Sequence, residues 1–173
     1  MVMTALLIAF GIVIPTAFGF LRVILPPAFT ATLTAHVPIF IAMFISPASA
    51  VFTAIGTTVG FWLSGLDAVV VMRAGSQIIF AVIGSYMIKK KMSVVLTGVV
   101  TGLLHAFFEA LTVYLFLSLG LTAAKEGVSY LTASFFVVGI GTLIHHTIDY
   151  IIAVIIVKAL SKMGTIKKMP SML

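Results

Sequence analysis

Apolar residues run along this chain in long blocks, and short polar or proline-containing stretches separate them. A bilayer core about 30 Å thick takes roughly 20 helical residues to cross. The first block, about residues 2–21, meets that length, and Pro15 is expected to kink it. Arg22 to Ala35 reads as a loop carrying Pro26-Pro27 and the threonines Thr30, Thr32 and Thr34. The stretch from His36 to Leu63 is broken at Ser46-Pro47, giving a second helix of about 36–46 and a third of about 48–64. Ser64-Gly65-Leu66-Asp67 makes the next turn. A fourth helix, about 68–88, ends on Lys89-Lys90-Lys91, and a fifth runs over about 93–119. After a polar loop from Thr122 to Ser129, a sixth covers about 130–160. The predicted fold is all-α: a polytopic membrane protein with six transmembrane helices, the whole chain (1–173) forming one transmembrane domain.

Charge orients this arrangement. Seven of the ten basic residues sit in the triple lysine or in the tail at Lys158, Lys162, Lys167 and Lys168. Lys and Arg are retained on the cytoplasmic side of membranes, so both groups are expected inside, separated by two crossings. Six crossings put both termini in the cytoplasm and Arg22, Arg73 and Lys125 on or toward the outer side. Merging helices two and three would leave five crossings and an outer N-terminus. The expected location is the cell membrane, multi-pass.

Composition agrees with that solvent. The chain is 62% hydrophobic and 8% charged with a mean hydropathy of +1.31, outside the range of soluble domains. The net charge of +6 lies at membrane boundaries, which points to anionic headgroups and not to nucleic acid. There is no cysteine, which excludes disulfides and thiolate chemistry. The first block has no charged leader and no convincing cleavage site, and reads as a retained helix.

Small residues recur at four-residue spacing in Ala5/Ala9, Ala50/Ala54, Gly56/Gly60 and Gly98/Gly102, where another backbone can approach closely. The two glycine pairs read as packing within the bundle; Ala5 and Ala9, on the first helix, are candidates for an intermolecular contact.

Ionisable groups inside apolar helices are costly and are default candidates for function. His105 and Glu109 are four apart on helix five, as are His145 and Asp149 on helix six, with His146 beside them; each pair shares a helix face. This intramembrane polar cluster reads as a network that locks two helices, as a metal site, or as a proton relay, and spacing does not separate the last two. Arg73 lies about one turn below the outer boundary. It snorkels to water, pairs with Asp67, or grips a ligand carboxylate bidentately. Gln77 and Ser76 accompany it. Trp62 is an interfacial anchor or a stacking wall, His36 stands at the outer end of helix two, and Tyr114, Thr132 and Ser134 offer hydrogen bonds. No phosphate loop, no G-x-S-G serine motif and no H-E-x-x-H is present. The chain therefore carries no ATPase motif of its own, and it reads as a non-enzymatic binding subunit driven by another polypeptide. No metal or cofactor is expected.

Several runs carry a family resemblance over essentially the whole chain. They are Ala5-x-x-x-Ala9, Thr34-Ala-His-Val-Pro-Ile-Phe-Ile-Ala-Met-Phe-Ile-Ser-Pro47, Gly56-Thr-Thr-Val-Gly-Phe61 and Arg73-Ala-Gly-Ser-Gln-Ile-Ile-Phe80. With the six-helix layout, the chain resembles a substrate-binding (S) component of an energy-coupling factor (ECF) vitamin transporter. The similarity is to the branch that handles pantothenate and niacin. The resemblance implies a RibU-like S-component bundle that captures a vitamin from outside in a pocket formed by the outer halves of helices four to six. Ala5 and Ala9 would meet a membrane coupling subunit (EcfT-type) powered by two ATPase subunits. Arg73, Ser76 and Gln77 become candidate ligand contacts. A small carboxylate vitamin is expected, pantothenate first and niacin as the alternative. A proton-coupled transporter or a membrane metalloprotein built on the His/acid cluster remains as a rival.

Overall fold

A computed structural model describes residues 1–25 and 29–164. Pro26-Pro27 and the tail lysines Lys167 and Lys168 lie outside the described residues. Six α-helices follow one another: α1 (Val2–Ala17), α2 (Val37–Met43), α3 (Pro47–Leu63), α4 (Ala68–Lys89), α5 (Val94–Ser118) and α6 (Ile140–Lys162). A π-helical stretch, Thr132–Gly139, leads without a break into α6. The protein is an all-α polytopic bundle. Among the described residues, three elements are long and apolar enough to cross a membrane: α4, α5 and Thr132–Lys162. Large apolar side chains such as Leu6, Phe10, Phe52, Leu103, Phe136 and Ile155 are exposed on the bundle's outside, where lipid tails replace water as their solvent.

Local sequence explains the helix boundaries. Ser46 caps α3, its hydroxyl accepting the Ser49 backbone N–H at 3.0 Å just ahead of Pro47, and Ser93 caps α5 through the Leu96 N–H at 3.1 Å. Gly65, at φ +68°, turns the chain between α3 and α4 at a backbone angle that glycine adopts without strain.

The segment between α1 and α2 departs from the expected loop. The first helix ends at Ala17, not near residue 21, and a 3₁₀ turn (Gly19–Leu21) follows. Strands β1 (Arg22–Leu25) and β2 (Phe29–Thr32) then pair antiparallel, Arg22 opposite Thr32 and Val23 opposite Ala31. β-branched and aromatic residues in the two strands favour this pairing, which satisfies backbone groups that an irregular loop beside lipid would leave bare. The second helix is also shorter than expected. At seven residues it rises about 10 Å, so the helix by itself covers only part of the thickness of a bilayer. It sits inside the bundle, with Val37 to Phe44 all buried against α1, α3, α4 and α6. A reversal at Thr34, at φ +69°, turns the chain inward before α2 starts.

Helix α1 packs chiefly on α3. A side chain at Gly60 would come within 2.8 Å of the Gly11 carbonyl and the Ile12 backbone, so the Gly56/Gly60 pair serves backbone contact between these helices. Gly60→Ala is expected to destabilise the protein by about 1–3 kcal/mol, the usual cost of overpacking. Gly75→Ala, whose added carbon would meet nothing closer than 3.8 Å, is the control. Thermal unfolding in detergent, with the Gly60 variant melting well below the Gly75 variant, checks this.

Candidate functional site

The buried polar residues converge on one place. On α6 and its lead-in turn, Thr142, His145, His146 and Asp149 repeat at helical spacing and all face inward. On α5 the inward stripe includes Thr101, His105 and Glu109; on α4 it includes Arg73 and Gln77. His36, the residue that starts α2, fills the space between these helices, with its ring 4.7 Å from that of His105 and 4.6 Å from that of His145.

Arg73 is 4% exposed and does not snorkel to the surface. Its Nη2 and Nε donate to one oxygen of Glu109 at 2.7 and 3.3 Å, and Nη2 also donates to the Thr30 carbonyl at 3.2 Å. Its guanidinium lies 5.7 Å from the centre of the Phe29 ring. Glu109 takes a further hydrogen bond from the Thr142 hydroxyl at 2.6 Å. Removing two full charges from water is tolerated only with this density of partners.

Asp149 is satisfied differently. It accepts the backbone N–H of Thr34 at 3.0 Å, the backbone N–H of His36 at 3.1 Å and the His36 ring Nδ1–H at 3.1 Å. It thereby fixes the chain where the hairpin passes into α2. The Gln77 amide nitrogen then donates to the other ring nitrogen of His36 at 2.9 Å, which leaves the Gln77 oxygen without a partner.

A third chain of bonds runs between α5 and α6. The Thr101 hydroxyl donates to the Thr97 carbonyl at 2.7 Å, so it accepts from His146 Nε2–H at 3.2 Å. That leaves His146 Nδ1 bare, to accept from His105 Nδ1–H at 3.0 Å. The second nitrogen of His105 then carries no proton. It lies 3.3 Å from a Glu109 oxygen but out of line for a hydrogen bond, and has no partner. His145 Nε2 is similarly placed, 3.4 Å from Asp149 and unpartnered.

Between the hairpin and the helices lies a small cavity of about 20 Å³, space for about one water. Its walls include Phe29, Thr30, His36, Phe61, Arg73, Gln77, Glu109 and His145. A larger groove of about 560 Å³ runs between α5 and α6 along Val95, Val99, Leu103 and Ile151. It holds no charged group to meet an acid. Donor atoms of His36, His145 and Asp149 lie within 4.8 Å of one another, as do those of His36, His105 and Glu109. Both sets share His36, whose two nitrogens are committed to Asp149 and Gln77, and Arg73 holds Glu109. These side chains form a hydrogen-bonded network, and we assign none of them to a metal.

The sequence-predicted residues divide accordingly. Arg73, Gln77 and His36 line the cavity, and the network of His105, Glu109, His145, His146 and Asp149 adjoins it directly, as one site and not two. Ser76 is turned onto its own helix, donating to the Arg73 carbonyl at 2.7 Å. Trp62 is 67% exposed, Tyr114 packs near Phe135, and exposed Thr132 bonds Ser129. Ser134 is fully buried in the π-helical stretch, with an unpartnered hydroxyl. Ala5 and Ala9 are both exposed on α1. Sequence reasoning missed Phe29, Thr30 and Phe61 as walls and Thr142 as a Glu109 partner. Thr142 was legible, being three residues before His145 on the same face.

The helices thus enclose a small cavity lined by charged and aromatic side chains beneath the hairpin. The chain is 34% identical over 169 residues to the niacin transporter NiaX of Lactococcus lactis subsp. cremoris (strain MG1363), covering 94% of this chain and 74% of that protein. It belongs to the S components of ECF vitamin transporters, in the niacin-type branch. No family model matches the chain, and no solved structure matches it.

Proposed function

We propose that this protein is the niacin-binding subunit of an ECF-type importer, capturing the vitamin as its carboxylate from outside the cell. The observation that carries this reading is Arg73, a buried guanidinium at the cavity wall with Phe29 and Phe61 beside it. A guanidinium matches a carboxylate bidentately, and aromatic walls suit a flat pyridine ring. Of the unpartnered polar atoms at the wall, the Gln77 oxygen only accepts, so His145 Nε2, carrying the ring proton, is the group that would donate to the ring nitrogen. The expectation of pantothenate gives way to niacin. The NiaX relative is named for niacin, and hydroxyls expected to serve a longer ligand are turned onto the protein's own groups, such as Ser76 to Arg73 and Thr132 to Ser129.

The cavity is too small for a pyridine ring, so entry requires β2 to lift away from Arg73. Its ties to the helices are the Arg73 bonds to Thr30, and the chain beyond it stays anchored at Thr34 and His36 by Asp149. Both termini face the cytoplasm in this reading, a coupling subunit and two ATPases supply the drive, and the exposed α1 face bearing Ala5 and Ala9 docks to the coupling subunit.

Two measurements test the reading. Labelled niacin binds the purified protein, and a large excess of pantothenate leaves it bound; displacement by pantothenate instead would return the ligand assignment to that vitamin. Ala9→Trp is expected to leave niacin binding by the isolated subunit unchanged while abolishing uptake with the partner subunits. Normal uptake by that variant removes α1 as the docking face.

A further inference from the structure

Niacin brings a negative charge into a site whose one buried cation is already paired. Among the described residues the bundle interior holds one cation, Arg73, and two carboxylates, Glu109 and Asp149. Asp149 is stabilised by three N–H donors from Thr34 and His36. Glu109 depends on Arg73 for its countercharge. If the ligand carboxylate takes Arg73, Glu109 is left with the Thr142 hydroxyl alone, an uncompensated charge in a dry interior that costs several kcal/mol. A cation must arrive with the ligand.

The structure provides a place for a proton. His105 Nε2 is a bare, fully buried ring nitrogen 3.3 Å from the free oxygen of Glu109, and it has no other partner. Its opposite nitrogen already donates to His146, whose far side is anchored on Thr101, so the ring is held by that bond. We propose, on the niacin-binding reading above, that each niacin carboxylate is bound together with one proton, which is held between His105 Nε2 and Glu109 as Arg73 passes from Glu109 to the ligand. The step is balanced: an N–H bond forms on His105 with a proton from solvent, no other covalent bond changes, and the site gains zero net charge.

The surroundings of His105 favour this location. Around it are His36 from α2, Glu109 from its own helix with Arg73 of α4 paired to it, and His146 from α6 with Tyr150 beyond, while His145 and Asp149 of α6 lie against His36. Arg73 opposes a second positive charge while it stands unshared beside Glu109; once neutralised by the ligand it no longer does. His145 Nε2 is unpartnered too, but its neighbour Asp149 keeps all its donors when the ligand binds.

Calorimetric titration of niacin into the full-length protein, in two buffers of different ionisation enthalpy at pH 7.5, counts the protons. The expected result is about one proton taken up per niacin, with affinity weakening about tenfold for each pH unit above neutrality. No proton uptake with normal binding overturns the proposal while leaving the niacin assignment standing; no binding heat in either buffer overturns the niacin assignment itself. In His105→Gln the proton count is expected to fall toward zero. Uptake of one full proton by that variant places the proton elsewhere, on the ligand ring or another histidine, and overturns the role of His105.

Discussion

Arg73→Ala weakens niacin binding by about 30- to 4,000-fold, the range expected when one partner of a buried charge pair is truncated at about 2–5 kcal/mol. The loss has two sources. The ligand carboxylate enters a low-dielectric site without its bidentate partner, and Glu109 remains there as an unopposed like charge. Arg73→Lys restores the charge but not the fork that donates from two nitrogens at once, so it recovers only part of the affinity. Nicotinamide, which lacks the charge, should bind the native protein poorly and lose little further affinity in the alanine variant. Equal losses for the acid and the amide would mean that the substitution acts by disturbing the fold.

Glu109→Gln separates stability from binding. Without ligand it leaves the Arg73 guanidinium buried with no anion, a change expected to destabilise the protein by about 3–5 kcal/mol and to lower its melting temperature by roughly 6–20 °C. With niacin the sign reverses: the incoming carboxylate no longer competes with Glu109 and supplies the missing anion. The variant should therefore bind niacin more tightly than the native protein and gain more from saturating ligand. Thermal unfolding with and without niacin reads both effects. A variant with native stability and a native ligand shift would show that the Arg73–Glu109 pair is not the element that niacin exchanges.

Much of this was legible in the chain. Block lengths, Ser46-Pro47 and the triple lysine marked all six helices, because a bilayer restricts what can cross it. The rarity of ionisable residues in apolar helices made Arg73, His105, Glu109, His145 and Asp149 conspicuous. The joining of these residues was not legible. Helical spacing places His105 beside Glu109 but says nothing about which helix faces α5, so the pairing of Arg73 with Glu109, 36 residues apart, depends on tertiary packing. His36 was misplaced for a related reason. Its position at a helix start suggested the outer boundary, but the Thr34 reversal and the grip of Asp149 carry it to the middle of the bundle. The hairpin was hidden by Pro26-Pro27, which read as a loop although the residues on either side have strand propensity. Trp62 shows the converse: an aromatic side chain near a helix end suits the interface as well as a ligand, and it is exposed.

The most direct measurement is a structure of the protein with niacin bound. The vitamin's carboxylate should lie within hydrogen-bonding distance of the Arg73 guanidinium, with its ring between Phe29 and Phe61, β2 displaced outward and Glu109 turned toward His105. Niacin bound elsewhere, with Arg73 still paired to Glu109 beneath an unmoved hairpin, would contradict the account.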